Sequence, residues 1–378
     1  MNNLRKDILA LASWYPSRVL LDNGDFIQRH LRAISTLNNV TLVHAIKDQN
    51  LKSDFEITDN INENVREIII YFKPSFFGPF NLIKQIRAFL KGIALVNHFD
   101  VIHLNVIYPA GLLSTYLKIK YKKPVILTEH WTNLHPNKFI QLPFYKRLAI
   151  KKILNFVDIV LPVSTHLGES IKKINHKVSY QVIPNVVDLE RFDYKLDLNS
   201  NEIRFLHLSH LGDQHKNISG MLNVAKRLAE NNYSFKFYIG GNGDLTPIIH
   251  FIKEHKLENY ITTFGRLEHH EVNQKMNDAD CFVLFSRFEN QPCVQAEAFA
   301  TGLPLIATKV GGIEEFFPNN FGILIESENE DQLFEAMIEV IKGKKFAEAE
   351  KMNDYARKLF AKEEIAEHYN EIYTQVVK

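Results

Sequence analysis

Residues 286–302 read SRFENQPCVQAEAFATG, with two carboxylates, Glu289 and Glu297, eight positions apart around a Pro-Cys-Val run. The preceding DCFVLF (280–285) is aromatic and β-branched, the pattern of a buried strand. Pro292 suits the first turn of a helix, where its missing N–H would have had no partner. Thr301-Gly302 supplies a glycine cap at the other end. Glu289 therefore belongs in a strand-to-helix loop and Glu297 in a short helix. Both lie near the carboxyl end of a strand and the positive end of a helix, a place where nucleotide phosphates bind.

The elements that must position these groups alternate along the whole chain. Apolar runs at 7–13, 40–46, 66–72, 100–106, 124–130 and 158–164 read as strands, with helical patterns at 26–37, 80–97, 110–120 and 144–157. A second series of strands follows at 203–209, 235–241, 261–265, 280–286 and 303–309, separated by helices near 217–231, 245–256, 268–279 and 331–343. Such alternation is the signature of parallel βαβ units. At 378 residues one core is not expected. The polar stretch KLDLNSNE (195–202) reads as a linker. The fold class is α/β, with two Rossmann-like doubly wound domains at 1–190 and 191–354 and a C-terminal helix at 355–378. The cleft between two such sheets is the default ligand site.

Composition narrows the classes. The only cysteines, Cys281 and Cys293, read as free thiols in a reducing, cytoplasmic compartment. No Cys/His cluster has ligand spacing, so no metal site is expected. The apolar run at 8–14 is too short for a signal peptide and reads as a first strand, and no run reaches the roughly 18 apolar residues of a membrane span. Residues 1–190 carry 24 Lys and Arg against 15 acids; the remainder carries 21 against 29. The basic half, with clusters at Lys84–Lys91, 118–123 and 146–152, fits an anionic membrane surface or a lipid-phosphate acceptor, or simply solvated helix faces. Nucleic acid is not expected, because no module pattern is present. GGNG (240–243) does not complete a dinucleotide fingerprint.

SRFENQPCVQAEAFATGLPLIATKVGGIEE, together with IPNVVD (183–188) and TEHW (128–131), resembles the signatures of retaining glycosyltransferase family 4, which has the GT-B fold. The resemblance covers nearly the whole chain. It implies a transferase that moves a hexosyl or N-acetylhexosaminyl group from a nucleotide sugar, UDP favoured over GDP, to an acceptor hydroxyl. It implies a lipid-linked or polysaccharide-precursor acceptor, a helix that crosses back to the first domain, and no cofactor beyond the donor. By resemblance Glu297 holds the ribose hydroxyls and Glu289 the donor sugar, and the backbone beside Asn290, Cys293 and Val294 faces sugar and phosphates. Lys216 takes the place of the family's lysine against the leaving diphosphate; His210 stands where an arginine is usual. Gly24 corresponds to a glycine that approaches the diphosphate, Arg266 and Leu267 to the base-reading loop, and His130 to the histidine between donor and acceptor. His103, Asn105 and Tyr108 are acceptor-side candidates. Domain closure would bring Gly24 and His130 onto the donor and exclude water. The roles need no metal, since a lysine and helix N-termini supply the positive charge. An epimerase or phosphorylase on the same fold, or a non-catalytic sugar-nucleotide binder, remain alternatives.

Overall fold

The computed structural model describes residues 5–194 and 202–377; the expected linker at 195–202 lies, except for Glu202, outside them. Two compact units are present: Met1–Val186 with Lys362–Lys378, and Val187–Ala361.

In the first unit seven strands form one sheet. They are β1 (Asp7–Ala12), β2 (Asn39–Lys47), β3 (Phe55–Asn62), β4 (Val65–Phe72), β5 (Val101–Asn105), β6 (Val125–Glu129) and β7 (Ile159–Pro162). Their order is β3-β4-β2-β1-β5-β6-β7. All neighbours run parallel except β3, which pairs antiparallel with β4. This edge strand breaks the expected all-parallel pattern. Its sequence, FEITDNIN, is polar and largely exposed, as an edge tolerates. It joins β4 through Glu63 and Asn64, both at positive φ, the turn that matches hairpin twist. Helices α1 (Asp25–Leu37), α2 (Gly78–Ile93) and α3 (Phe144–Leu154) belong to this unit.

The second unit has β8 (Ile203–His210), β9 (Phe235–Asn242), β10 (Ile261–Phe264), β11 (Cys281–Leu284), β12 (Leu305–Thr308) and β13 (Gly322–Ile325). They form a parallel sheet in the order β10-β9-β8-β11-β12-β13. The winding direction reverses between β8 and β11, which makes the carboxyl ends of those two strands the switch point, the place where ligands bind in such sheets. The helices that matter below are α4 (Asp213–Lys216), α5 (Cys293–Ala300) and α6 (Ala349–Phe360).

The C-terminal segment is two helices, not the single one expected from 355. At Ala361 the backbone leaves the helical region, with ψ 146°, and α7 (Lys362–Val376) begins. α6 stays with the second unit, where Asn353 donates to the Ala300 carbonyl. α7 belongs to the first. Its Ile365, Tyr369, Ile372 and Tyr373 are fully buried in one core with Ile27, Leu31 and Ile34 of α1 and alternate residues of β1. The intervening residues of β1, Leu9 and Leu11, enter the core on the opposite face, as the strand period requires. Among the described residues no helix is long and apolar enough to cross a membrane.

Truncating Ile372 to Ala removes a fully buried side chain, and urea unfolding should register a loss of about 2–5 kcal/mol. A loss below about 1 kcal/mol would mean that α7 does not complete this core.

Candidate functional site

In the second unit the site begins at the switch point. Beyond β8 the chain passes His210 and Gly212 and makes the single turn α4, which ends at Lys216. Beyond β11 it passes Ser286 and Glu289 before α5. The two loops converge. The Lys216 ammonium lies 2.5 Å from Glu289 Oε1, and the Ser286 hydroxyl donates to the same oxygen at 2.8 Å. The lysine side chain is 18% exposed and the glutamate 10%. Desolvation opposes such a pair unless its geometry is fixed by further bonds.

Arg287 supplies that fixing, and sequence reading passed it over. Its guanidinium donates to the Asp213 carbonyl at 2.5 Å, to Asn217 Oδ1 at 2.5 Å and to Glu328 Oε1 at 2.7 Å. Its own N–H donates to the His215 carbonyl at 2.8 Å. The arginine beside Glu289 thus ties down the turn that carries Lys216.

A second clamp comes from the loop after β12. Gly311 has φ +59°, and a Cβ there would lie 1.7 Å from the Glu289 carbonyl oxygen. Only glycine fits so close an approach. Gly312 N–H donates to the Asn290 carbonyl at 2.8 Å. Gln295, fully buried on α5, donates to the carbonyls of Ile313 and Phe316 at 3.0 and 2.9 Å. It is a further residue that sequence reading did not single out. Pro292 precedes α5 as its cap residue, not its first helical residue, so Cys293 and Val294 open the helix. First-turn amides lie outside the helix ladder. Glu297 is 5% exposed, inside the unit with its neighbours from Gln295 to Ala300. His210 is exposed at the end of β8. Arg266, exposed, and Leu267, half-buried, follow β10 at the sheet edge.

In the first unit Gly24 caps α1 at φ +77°, and a Cβ would sit 2.9 Å from the Trp14 backbone. His130 follows β6 and is 9% exposed. Its ring packs on Phe26 (centroids 4.4 Å apart) and His30 (5.3 Å), and Asn185 hydrogen-bonds to it. Burial holds its pKa well below the usual 6.5, so the ring is neutral. Glu129, unremarked within TEHW, fixes this loop. Its carboxyl accepts from the N–H groups of Ile107, His130 and Trp131 at 2.8–2.9 Å. Burial nevertheless pushes its pKa up to about 7.

Two acceptor-side expectations are corrected here. His103 is fully buried, with Nδ1 on the Tyr373 hydroxyl and Nε2 on Thr128 Oγ1, both at 2.7 Å. Thr128 Oγ1 pairs at 3.0 Å with the Tyr369 hydroxyl, which reaches His30 Nδ1 at 3.1 Å. His103 is therefore part of the network that docks α7, closed to any acceptor. Asn105 is also fully buried and donates to the His103 carbonyl at 3.3 Å. Tyr108 differs: it is half-buried and lines a cavity of about 910 Å³. Cys281 and Cys293 are free thiols. One trio with ligating groups close together, Asp7, His98 and Asp100, occurs among the described residues, at the amino end of β1, opposite the loops at the carboxyl ends of the strands.

Two doubly wound sheets, the second with a charged pair at its switch point, fit the GT-B class of glycosyltransferases, which use nucleotide sugars. Residues 28–191 match the family described as Glycosyltransferase Family 4, and residues 188–359 match Glycosyl transferases group 1. The chain belongs to glycosyltransferase family 4. It is 26% identical over 320 residues to UDP-Gal:alpha-D-GlcNAc-diphosphoundecaprenol alpha-1,3-galactosyltransferase of Escherichia coli, covering 78% of this chain and 79% of that one. It is 24% identical over 245 residues to alpha-monoglucosyldiacylglycerol synthase of Streptococcus pneumoniae, covering 58% and 55%. The fold is similar to that of Anabaena HepE in complex with UDP and glucose, with TM-score 0.76 and 15% identity over 98% of this chain and 100% of that one.

Four buried histidines of the first unit, His30, His44, His103 and His130, are held below their ordinary 6.5 by burial, the first two at about 4. Each favours the folded state fully above pH 6.5, and that contribution is lost as pH falls toward about 4. Glu129 acts in the opposite sense between 4.5 and about 7, where burial favours its protonated form, but it is one group against four. Both tryptophans, Trp14 and Trp131, lie in this unit, so their fluorescence reports it alone. The urea midpoint read by tryptophan should fall between pH 7 and pH 5; a midpoint that holds or rises would contradict the buried neutral histidines.

Proposed function

We propose that the chain is a retaining glycosyltransferase that moves a hexosyl group from a UDP-sugar to a hydroxyl of a lipid-linked acceptor. The observation that carries this reading is the little-exposed Lys216–Glu289 pair at the switch point, beside the opening turn of α5. As the anomeric C–O bond breaks, negative charge grows on the departing diphosphate. Lys216 and the first amides of α5, at Cys293 and Val294, stabilise that charge. Glu289 holds the lysine through Oε1, and its Oε2 accepts from the sugar hydroxyls. Glu297 accepts from the two ribose hydroxyls, and the backbone at Arg266 and Leu267 reads the base. The new bond forms on the face the diphosphate leaves, and a departing phosphate oxygen takes the acceptor's proton. His130, neutral and fixed by Asn185, orients a hydroxyl, and Gly24 lets backbone approach the diphosphate. No resident metal is assigned a role. UDP and a lipid-linked acceptor are favoured because the galactosyltransferase relative is named for both, and the HepE structure holds UDP.

Slow hydrolysis of a UDP-sugar gives a readout that needs no acceptor. Glu297→Ala should weaken UDP binding about ten- to hundredfold by calorimetry, the loss of hydrogen bonds to a charged group. Glu289→Ala should leave UDP binding within a few-fold while hydrolysis falls about 10²–10³-fold. Turnover should survive chelation by EDTA. Unchanged kinetics in both variants, or loss of turnover with EDTA, would overturn the assignment.

A further inference from the structure

The first unit carries a surface that sugar transfer does not account for. From Lys73 to Val157 the chain has thirteen Lys and Arg against two acids, Asp100 and Glu129. Glu129 is fully buried and the half-buried Asp100 lies 3.6 Å from the Lys123 ammonium, which leaves this stretch an exposed charge of predominantly one sign. α2 contains no acid, and it shows Phe80, Ile83 and Leu90 to solvent. These residues share one face of the helix. Phe76 and Phe77, just ahead of it, are exposed as well. α3 repeats the pattern, with Phe144, Tyr145 and Leu148 exposed beside Lys151 and Lys152. The two helices meet at one place: the 910 Å³ cavity is lined by Pro79 and Asn81 of α2, Tyr145 and Lys146 of α3, Tyr108, and the exposed Leu20. Aromatic and aliphatic side chains left in water at the rim of a basic cavity mark a docking surface, not a solvated face.

We propose that this face seats on an anionic lipid surface. Phe76, Phe77, Phe80 and Phe144 enter the headgroup layer, and Arg87, Lys91, Lys151 and Lys152, all exposed, pair with lipid phosphates. An apolar stripe edged by cations is the pattern of a helix that lies in the membrane interface. Charge selects among occupants. A second copy docking through the same patch would set cations against cations, since an isologous contact pairs a surface with itself. A bilayer of anionic lipid supplies the opposite charge together with an apolar layer. The inference rests on the glycosyl-transfer reading in one respect only: the cavity then opens where a lipid-linked acceptor presents its hydroxyl.

Co-sedimentation of the full chain with vesicles, without donor, tests it. The chain should pellet with vesicles of phosphatidylcholine and phosphatidylglycerol in equal parts and not with phosphatidylcholine alone. Replacing Arg87, Lys91, Lys151 and Lys152 by Gln should weaken binding about fivefold per cation removed. Phe76→Ser with Phe77→Ser and Phe80→Ser should abolish the binding that survives in high salt. All these residues are exposed, so the melting temperature should not change, and a variant that loses binding without losing stability supports the surface. The proposal is overturned by absent binding to both vesicles, by equal binding to both, or by self-association that the Phe→Ser variant abolishes while vesicles are ignored. UDP binding by calorimetry is read separately: its absence alongside intact vesicle binding would sink the transferase reading and leave this surface standing.

Discussion

A lysine and a glutamate 73 positions apart are forced together where the second sheet reverses its winding. Neither charge is well solvated, so each needs the other, and the pair persists only if both loops are held. Much of the local structure serves that end. Arg287 braces the turn that carries the lysine. The glycine pair after β12 presses on the backbone that carries the glutamate, and the buried Gln295 amide anchors that glycine loop to α5. A fixed cation beside a helix start is ready to meet growing negative charge without reorganisation.

The first unit solves a similar problem with a different group. There the loop that needs fixing follows β6, and one carboxyl takes two successive amides of that loop and a third, from Ile107 after β5, to fix it. The histidine on that loop is packed between aromatic rings and kept neutral by burial. Behind it, hydroxyls and imidazoles run from α7 through the sheet to α1, satisfying polar groups that would otherwise be costly inside a core. Buried polar networks of this kind specify one arrangement of helices where apolar packing alone would allow several.

The parallel strands were legible because a strand buried on both faces is a continuous apolar run. β3 and β13 were not: one is polar at an edge, and the other, GILI, is a half-buried edge strand that opens on a glycine. The C-terminal break was missed because FAKEE keeps a helical pattern on both sides of Ala361 and no Pro or Gly marks the turn. Glu289, Glu297 and Lys216 could be placed at strand ends because their neighbours carry local turn and cap signals. The supporting groups, Arg287, Gln295 and Glu129, bond across the fold, and nothing adjacent in sequence announces that. His103 and Asn105 were misjudged for a related reason. The end of a strand reads alike whether it opens to solvent or is roofed by a helix more than 250 residues later, as α7 roofs His103.

The most direct test of the account is a double-mutant cycle on Lys216→Met and Glu289→Gln, read as UDP-sugar hydrolysis. If the two side chains act as one unit, the double variant should be about as slow as the worse single variant, with a coupling of about 1–3 kcal/mol. Losses that simply add would contradict the pair as the centre of the site.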